Sequence, residues 1–271
     1  MTSLSINEMT TFRWSFDEDV ARYRDCGIEA IGVWRQKLAD FGEAKGIELI
    51  ADSGLAVSNL LWAGGFTGSD GRTYEESIAD ARDALHLASQ LKTRNLVIYS
   101  GARNGHTQNH ARRLFQSALV ELLPLAADLD VSLAVEPMHA SSADDWTFLT
   151  SLDDAITLLD AIDNPYLKLT FDTYHWGHEP GIVERIGQIA PRIGIVHLGD
   201  ALTPPDHEHN RHRLGAGKLP LPCIFKALRR AGYEGYFDVE LMGEDIESCD
   251  YRQLLEGSKR AYEQLLEGSP S

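Results

Sequence analysis

Short apolar runs of β type alternate with longer amphipathic stretches along the whole chain, and this rhythm is the strongest constraint on its fold. The runs are "SLSI" at the start, then "GIEAIGVW" (27–34), "LAVSNLL" (55–61), "NLVIYSG" (95–101) and "VSLAVEP" (131–137), followed by runs at 166–171, 193–198 and 236–241. Between them lie stretches with helical spacing, such as "YEESIADARDALHLASQL" (74–91) and "HARRLFQSALVELLPLAADL" (110–129), and further helices are expected at 152–162, 181–190, 220–231 and 244–266. Strands separated by helix-length segments pair in parallel, because a crossover must return the chain to the same end of the sheet. About eight such units predict an α/β fold of the (β/α)8 TIM-barrel kind, one domain spanning residues 1–271. A doubly wound sheet is the competing architecture. It would place a glycine-rich turn after the first strand, where "INEMTTF" has none.

In such a barrel the C-terminal strand ends meet on one face, where chemistry sits. The fifth run ends in Glu136 ("LAVEPMH"), the sixth in Asp172 ("LKLTFDTYH"), the seventh in His197 ("IGIVHLGD") and the eighth in Glu240 ("YFDVELMG"). Adjacent strands lie about 5 Å apart, so the four side chains can meet at one point. One acid at a strand end is commonly a helix N-cap. Three clustered carboxylates would repel one another and resist desolvation, a conflict that a divalent cation resolves. Glu136, Asp172, His197 and Glu240 are therefore the expected metal ligands. Three oxygens and a single nitrogen favour a hard or borderline ion, Mn2+ first, with Mg2+, Co2+ and Zn2+ as alternatives.

Trp14, Trp34, Trp62 and Trp176 fall near predicted strand ends, and Trp146 falls in the loop after the fifth strand. Aromatic rings suit the C–H faces of a sugar, and Trp14, Trp34 and Trp62 are expected to contact substrate. Packing is the alternative for each of them. His106 and His139 read as solvated loop histidines.

The motifs "EPMH", "FDTYH", "VHLGDA", the "R…GAG" loop and "VELMG" resemble the xylose-isomerase-like TIM-barrel superfamily, and the resemblance spans nearly the whole chain. That superfamily includes tagatose 3-epimerase, hydroxypyruvate isomerase, inosose isomerases and dehydratases, and endonuclease IV. The resemblance implies a metal-dependent isomerase or epimerase of a keto-sugar or related polyol ketone, working through a metal-stabilised enediolate. It makes Glu136 and Glu240 the acid/base pair as well as ligands, and has His175 and Arg211 bind substrate oxygens. For His175 a supporting or packing role is the alternative, and for Arg211 a solvated loop charge. The epimerases' further substrate-binding carboxylate, a few residues past the fifth strand, has no clear match; Ser142 and Asp144 are nearby.

Two other chemistries are open at the same ligand set. A lyase or dehydratase would let the same enediolate expel a leaving group, as in inosose dehydration or 3-keto-glycoside cleavage. A non-catalytic binding partner would have no use for two placed glutamates. Abasic-site cleavage is disfavoured, since the extra histidines of endonuclease IV are absent from "SNLLW" (58–62) and "IYSG" (98–101). The formal net charge of −16 likewise argues against a nucleic-acid partner. The expected partner is a small carbohydrate, and a homo-oligomer is left open. No run of about 18 apolar residues predicts a membrane span. The opening "MTSLSINEMTTFRW" is unlike a signal peptide, and Cys26, Cys223 and Cys249 show no paired spacing. A cytoplasmic location is expected.

Overall fold

The computed structural model describes residues 3–268; the outermost residues of the expected 1–271 domain lie outside the described part. Eight parallel strands close into a barrel in chain order: β1 (Ser3–Asn7), β2 (Ala30–Trp34), β3 (Ala56–Gly64), β4 (Asn95–Tyr99), β5 (Ser132–Val135), β6 (Leu167–Asp172), β7 (Ile193–Leu198) and β8 (Tyr236–Val239). β8 pairs with β1 through Ser3↔Tyr236 to Ile6↔Val239, which shuts the sheet. The helices are α1 (Phe16–Asp25), α2 (Arg35–Phe41), α3 (Glu43–Ser53), α4 (Tyr74–Gln90), α5 (Gln108–Asp128), α6 (Leu152–Ile162), α7 (Thr173–Trp176), α8 (Ile182–Ile189), α9 (Leu221–Arg230), α10 (Glu244–Glu247) and α11 (Tyr251–Glu267). No described helix is long and apolar enough to cross a membrane.

Local signals explain the boundaries. Thr73 and Glu76 form a reciprocal capping box at the start of α4, with Glu76 N donating to Thr73 Oγ1 and Thr73 N donating to Glu76 Oε2. Gly42, at φ +104°, divides the stretch after β2 into α2 and α3. The closing helix is likewise two helices, because Asp250 caps α11 anew by accepting from Gln253 N. β3 runs three residues beyond the expected end at 61.

Strand periodicity fixes what lies beneath the mouth. Side chains two apart on a strand share a face, so Ala134, Thr170, Ile195 and Asp238 form the layer below Glu136, Asp172, His197 and Glu240. Leu61, Val97, Ala134 and Ile195 make a small apolar plug inside the barrel. The opposite strand faces, with Leu133, Leu169, Val196 and Phe237 among them, join the helices in the main core. Thr170 Oγ1 donates to the Ala134 carbonyl at 3.0 Å, which satisfies its hydroxyl within the plug.

Candidate metal centre

Each member of the cluster sits where a strand gives way to a loop. Glu136 follows β5 directly, and its N–H still donates to the Ile98 carbonyl. Asp172 ends β6 and also caps α7, its Oδ1 accepting from Tyr174 N at 2.7 Å. The N-cap reading and the ligand reading thus hold together, because the cap uses Oδ1 and leaves Oδ2 to the cluster, where the Arg211 guanidinium lies 2.9 Å away. Burial of all four side chains leaves 0–3% of each exposed.

Their ligand atoms all lie within 4.8 Å of one another. Ligands on opposite sides of an ion at about 2.0–2.6 Å are roughly 4–5 Å apart, so the spacing fits one cation. His197 Nδ1 stands 3.2 Å from Glu136 Oε1 and 3.0 Å from Glu240 Oε2. The donor chemistry and the burial together suit a divalent ion.

Arg211 reaches this group from the long loop after β7. Asp200 folds that loop by accepting from the N–H groups of Gly215, Gly217 and Leu219. A Cβ on Gly217 would stand 2.1 Å from Asp200 Oδ1, so only glycine permits the approach. Arg211 is 5% exposed, with NH1 2.9 Å from Glu240 Oε2 and NH2 2.9 Å from Asp172 Oδ2. Its guanidinium compensates the carboxylate charge and rests over the Tyr174 ring. His175 Nδ1 accepts from His139 N–H at 3.2 Å, which leaves the hydrogen on Nε2, 3.7 Å from Asp172 Oδ2.

The protonation states follow from these contacts. Burial lifts the Asp172 carboxyl to about 7; Glu240 and Glu136 push the same way, and Arg211 opposes them. Burial opposes a charge on His197, but Glu240 and Glu136 outweigh it and hold the imidazole well above its usual value. Burial also raises Glu240, yet Arg211 and His197 bring it below the ordinary carboxylate range. Burial, then Arg211, keeps His175 neutral. An ion at this cluster must displace the protons on Asp172 and His197. Both protonated forms prevail on the acid side, so affinity should rise with pH. Calorimetric titration with Mn2+ should show tighter binding at about pH 8 than at about pH 6, with net proton release. Equal affinity and no proton release would contradict the assignment.

Glu136 and Glu240 of the cluster line a cavity of about 430 Å3. Glu136, Glu240, His175 and Arg211 line its inner end, and Trp34 and Trp62 stand in its wall with Phe12, Trp146 and Tyr251. Trp14 does not line it; the turn Glu8–Thr11 carries Trp14 past the rim, where it packs edge-on against Tyr251. Trp176 is buried, its Nε1 donating to the Pro137 carbonyl. Ser142 lines the cavity, while Asp144 is exposed and does not. His139 is half-buried against His175, and His106 is tied to the Thr67 carbonyl.

The profile of the xylose isomerase-like TIM barrel family matches residues 20–265. The chain belongs to that family. A ketose 3-epimerase from Arthrobacter globiformis is 24% identical over 255 residues, 89% of this chain and 84% of the relative. Protein SMc04130 from Sinorhizobium meliloti 1021 superposes with a TM-score of 0.89 at 27% identity, covering 97% of this chain and 98% of that one. The IOLI protein, solved with a bound zinc atom, shares the fold at a TM-score of 0.86 and 18% identity over the full length of both chains.

Sequence reasoning missed Asp238. It is wholly buried, its Oδ2 accepts from Asn7 Nδ2 and Asn59 Nδ2, and it stands 4.0 Å behind His197 Nε2. The available signal was the acid inside "YFDVEL", two residues before Glu240 and so on the same face. Gly32 makes room for it, since a Cβ there would meet Asp238 Oδ2 at 2.4 Å.

Proposed function

We propose that the chain is a divalent-metal-dependent isomerase or epimerase of a keto-sugar or related polyol ketone. The observation that carries this reading is the pair Glu136 and Glu240. They come from strands on either side of β6 and β7, flank His197 Nδ1, and open into a cavity of substrate size. The kinship with a ketose 3-epimerase supports it.

Glu136, Asp172, His197 and Glu240 would hold the ion. Bound there, it would polarise a ketone oxygen and the neighbouring hydroxyl oxygen, acidifying the C–H between them. One glutamate takes that proton. The other returns a proton to the same carbon from the opposite face, which epimerises it, or to the adjacent carbon, which isomerises the sugar. His175 donates through Nε2–H to a substrate oxygen, and Arg211 offers its guanidinium to another where negative charge develops. Trp34 and Trp62 present ring faces to C–H groups. Mn2+ is the expected ion for an oxygen-rich donor set; zinc in the IOLI protein puts Zn2+ in the same screen with Mg2+ and Co2+.

The test is proton exchange. Metal-loaded protein with a panel of keto-sugars, inososes and keto-glycosides in D2O should replace the acidic C–H with deuterium, read by NMR. Metal-loaded protein that exchanges none of the panel would overturn the reading.

A further inference from the structure

The walls of the cavity differ sharply from its floor, and the difference speaks to the substrate. Beyond Glu136, Glu240, His175 and Arg211, a free ketose would need hydrogen-bond partners for its remaining hydroxyls, since burying a hydroxyl unpaired is costly. Few are on offer. Thr10 Oγ1 is already spent, donating to the Val239 carbonyl and accepting from Leu241 N. Ser142 Oγ and Trp62 Nε1 are buried there without a partner, enough for one or two oxygens, and the other polar lining residues are His209, Tyr251 and the exposed Glu208 and Glu247. Met9, Met138, Met242 and Ile246 fill the wall between the aromatic rings.

The mouth is apolar as well. Phe12 is 48% exposed and Trp146 40%, two of four large hydrophobic side chains so exposed among the described residues, and both line this cavity. Each backs onto a deeper ring: Phe12 stacks on Trp34 with centroids 5.8 Å apart, and Trp146 leans on Trp62 at 5.7 Å. Exposed apolar surface gathered at one opening marks a place where a ligand completes the burial.

Charge points the same way. Among the described residues Arg211 is the only lysine or arginine lining the cavity, and it is engaged by Asp172 and Glu240. The nearby cations that a phosphate would need are engaged elsewhere. Arg13 donates to the Cys249 carbonyl, Arg35 to Asp80 and the Trp62 carbonyl, and Lys37 to Asp19. Glu208 and Glu247 stand at the rim instead. An anionic group would meet repulsion there.

We infer that the substrate is a non-ionic polyol ketone carrying a flat apolar substituent, an aryl glycoside of a keto-sugar whose ketone is free, with the aryl ring lying among Phe12, Trp34, Trp62 and Trp146. This rests on the isomerase or epimerase reading for the ketone end alone; the wall chemistry stands by itself.

Calorimetry on the Mn2+-loaded protein tests it with three ligands: the phenyl and methyl glycosides of 3-ketoglucose, and the 6-phosphate of the methyl glycoside. The phenyl glycoside should bind roughly tenfold or more tightly than the methyl one, a difference of about 1.4 kcal/mol. The phosphate should bind more weakly than either. Trp146→Ala and Phe12→Ala, both at exposed positions, should shrink the phenyl advantage toward parity. Equal binding of the phenyl and methyl glycosides, preference for the phosphate, or a phenyl advantage untouched by both substitutions would each overturn the inference. Exchange in D2O with the same ligands judges the proton-transfer reading separately. A phenyl advantage without any exchange would sustain the cavity assignment and sink the chemistry at the floor.

Discussion

Glu136→Gln and Glu240→Gln should each lower turnover by roughly 10²–10⁴-fold while the protein still takes up metal, the range typical of a lost acid/base group. Glutamine keeps the length of the side chain and one carbonyl oxygen for the ion, but it cannot accept a proton near neutral pH. The two variants should also differ from each other. Losing the group that abstracts the proton stops exchange with D2O. Losing only the group that returns it leaves exchange measurable while product formation fails. Exchange should therefore survive in at most one of them. Near-normal turnover in both metal-loaded variants would mean that the glutamates only hold the ion. The proton would then be moved by another group, with His175, neutral and 3.7 Å from Asp172, the next candidate.

His197→Ala and Asp172→Asn should lose metal affinity and activity together. Removing a group that merely orients a ligand typically costs about 10–100-fold in affinity, so removing the ligand itself should exceed about 100-fold. Asp172→Asn carries a second consequence. It leaves Arg211 with Glu240 as its remaining carboxylate partner, since Arg211 bridges those two acids. Asparagine can still accept from Tyr174 N, so the α7 cap survives and the loss should be specific to the centre. Activity retained by either variant in the presence of a chelator would exclude the metal route.

The barrel was legible because each strand is an apolar run bounded by polar or glycine punctuation, and the ligand set because four of those runs end abruptly in an ionisable residue. The less legible parts depend on contacts between distant residues. Helix α1 was not delimited, since "FDEDVARYRD" buries only Phe16, Asp19, Val20 and Tyr23. Helix α7 is four residues long, too short for any period to show. Arg211 was drawn from a loop of similar neighbours; what singles it out is Asp200 gathering the N–H groups of Gly215 and Gly217. Trp14 lies close to β1 in sequence, but one turn of 3-10 helix is enough to carry it outside the mouth. The support for Asp238 is spread over β1, β2 and β3, in Asn7, Gly32 and Asn59, and no local pattern joins them.

The most direct measurement is anomalous diffraction at the manganese edge from crystals of the protein equilibrated with Mn2+. One peak is expected at the barrel mouth, within about 2.0–2.6 Å of a ligand atom from each of Glu136, Asp172, His197 and Glu240. No peak there at saturating Mn2+, or a peak bound by other residues, would contradict the assignment of this cluster as the metal centre.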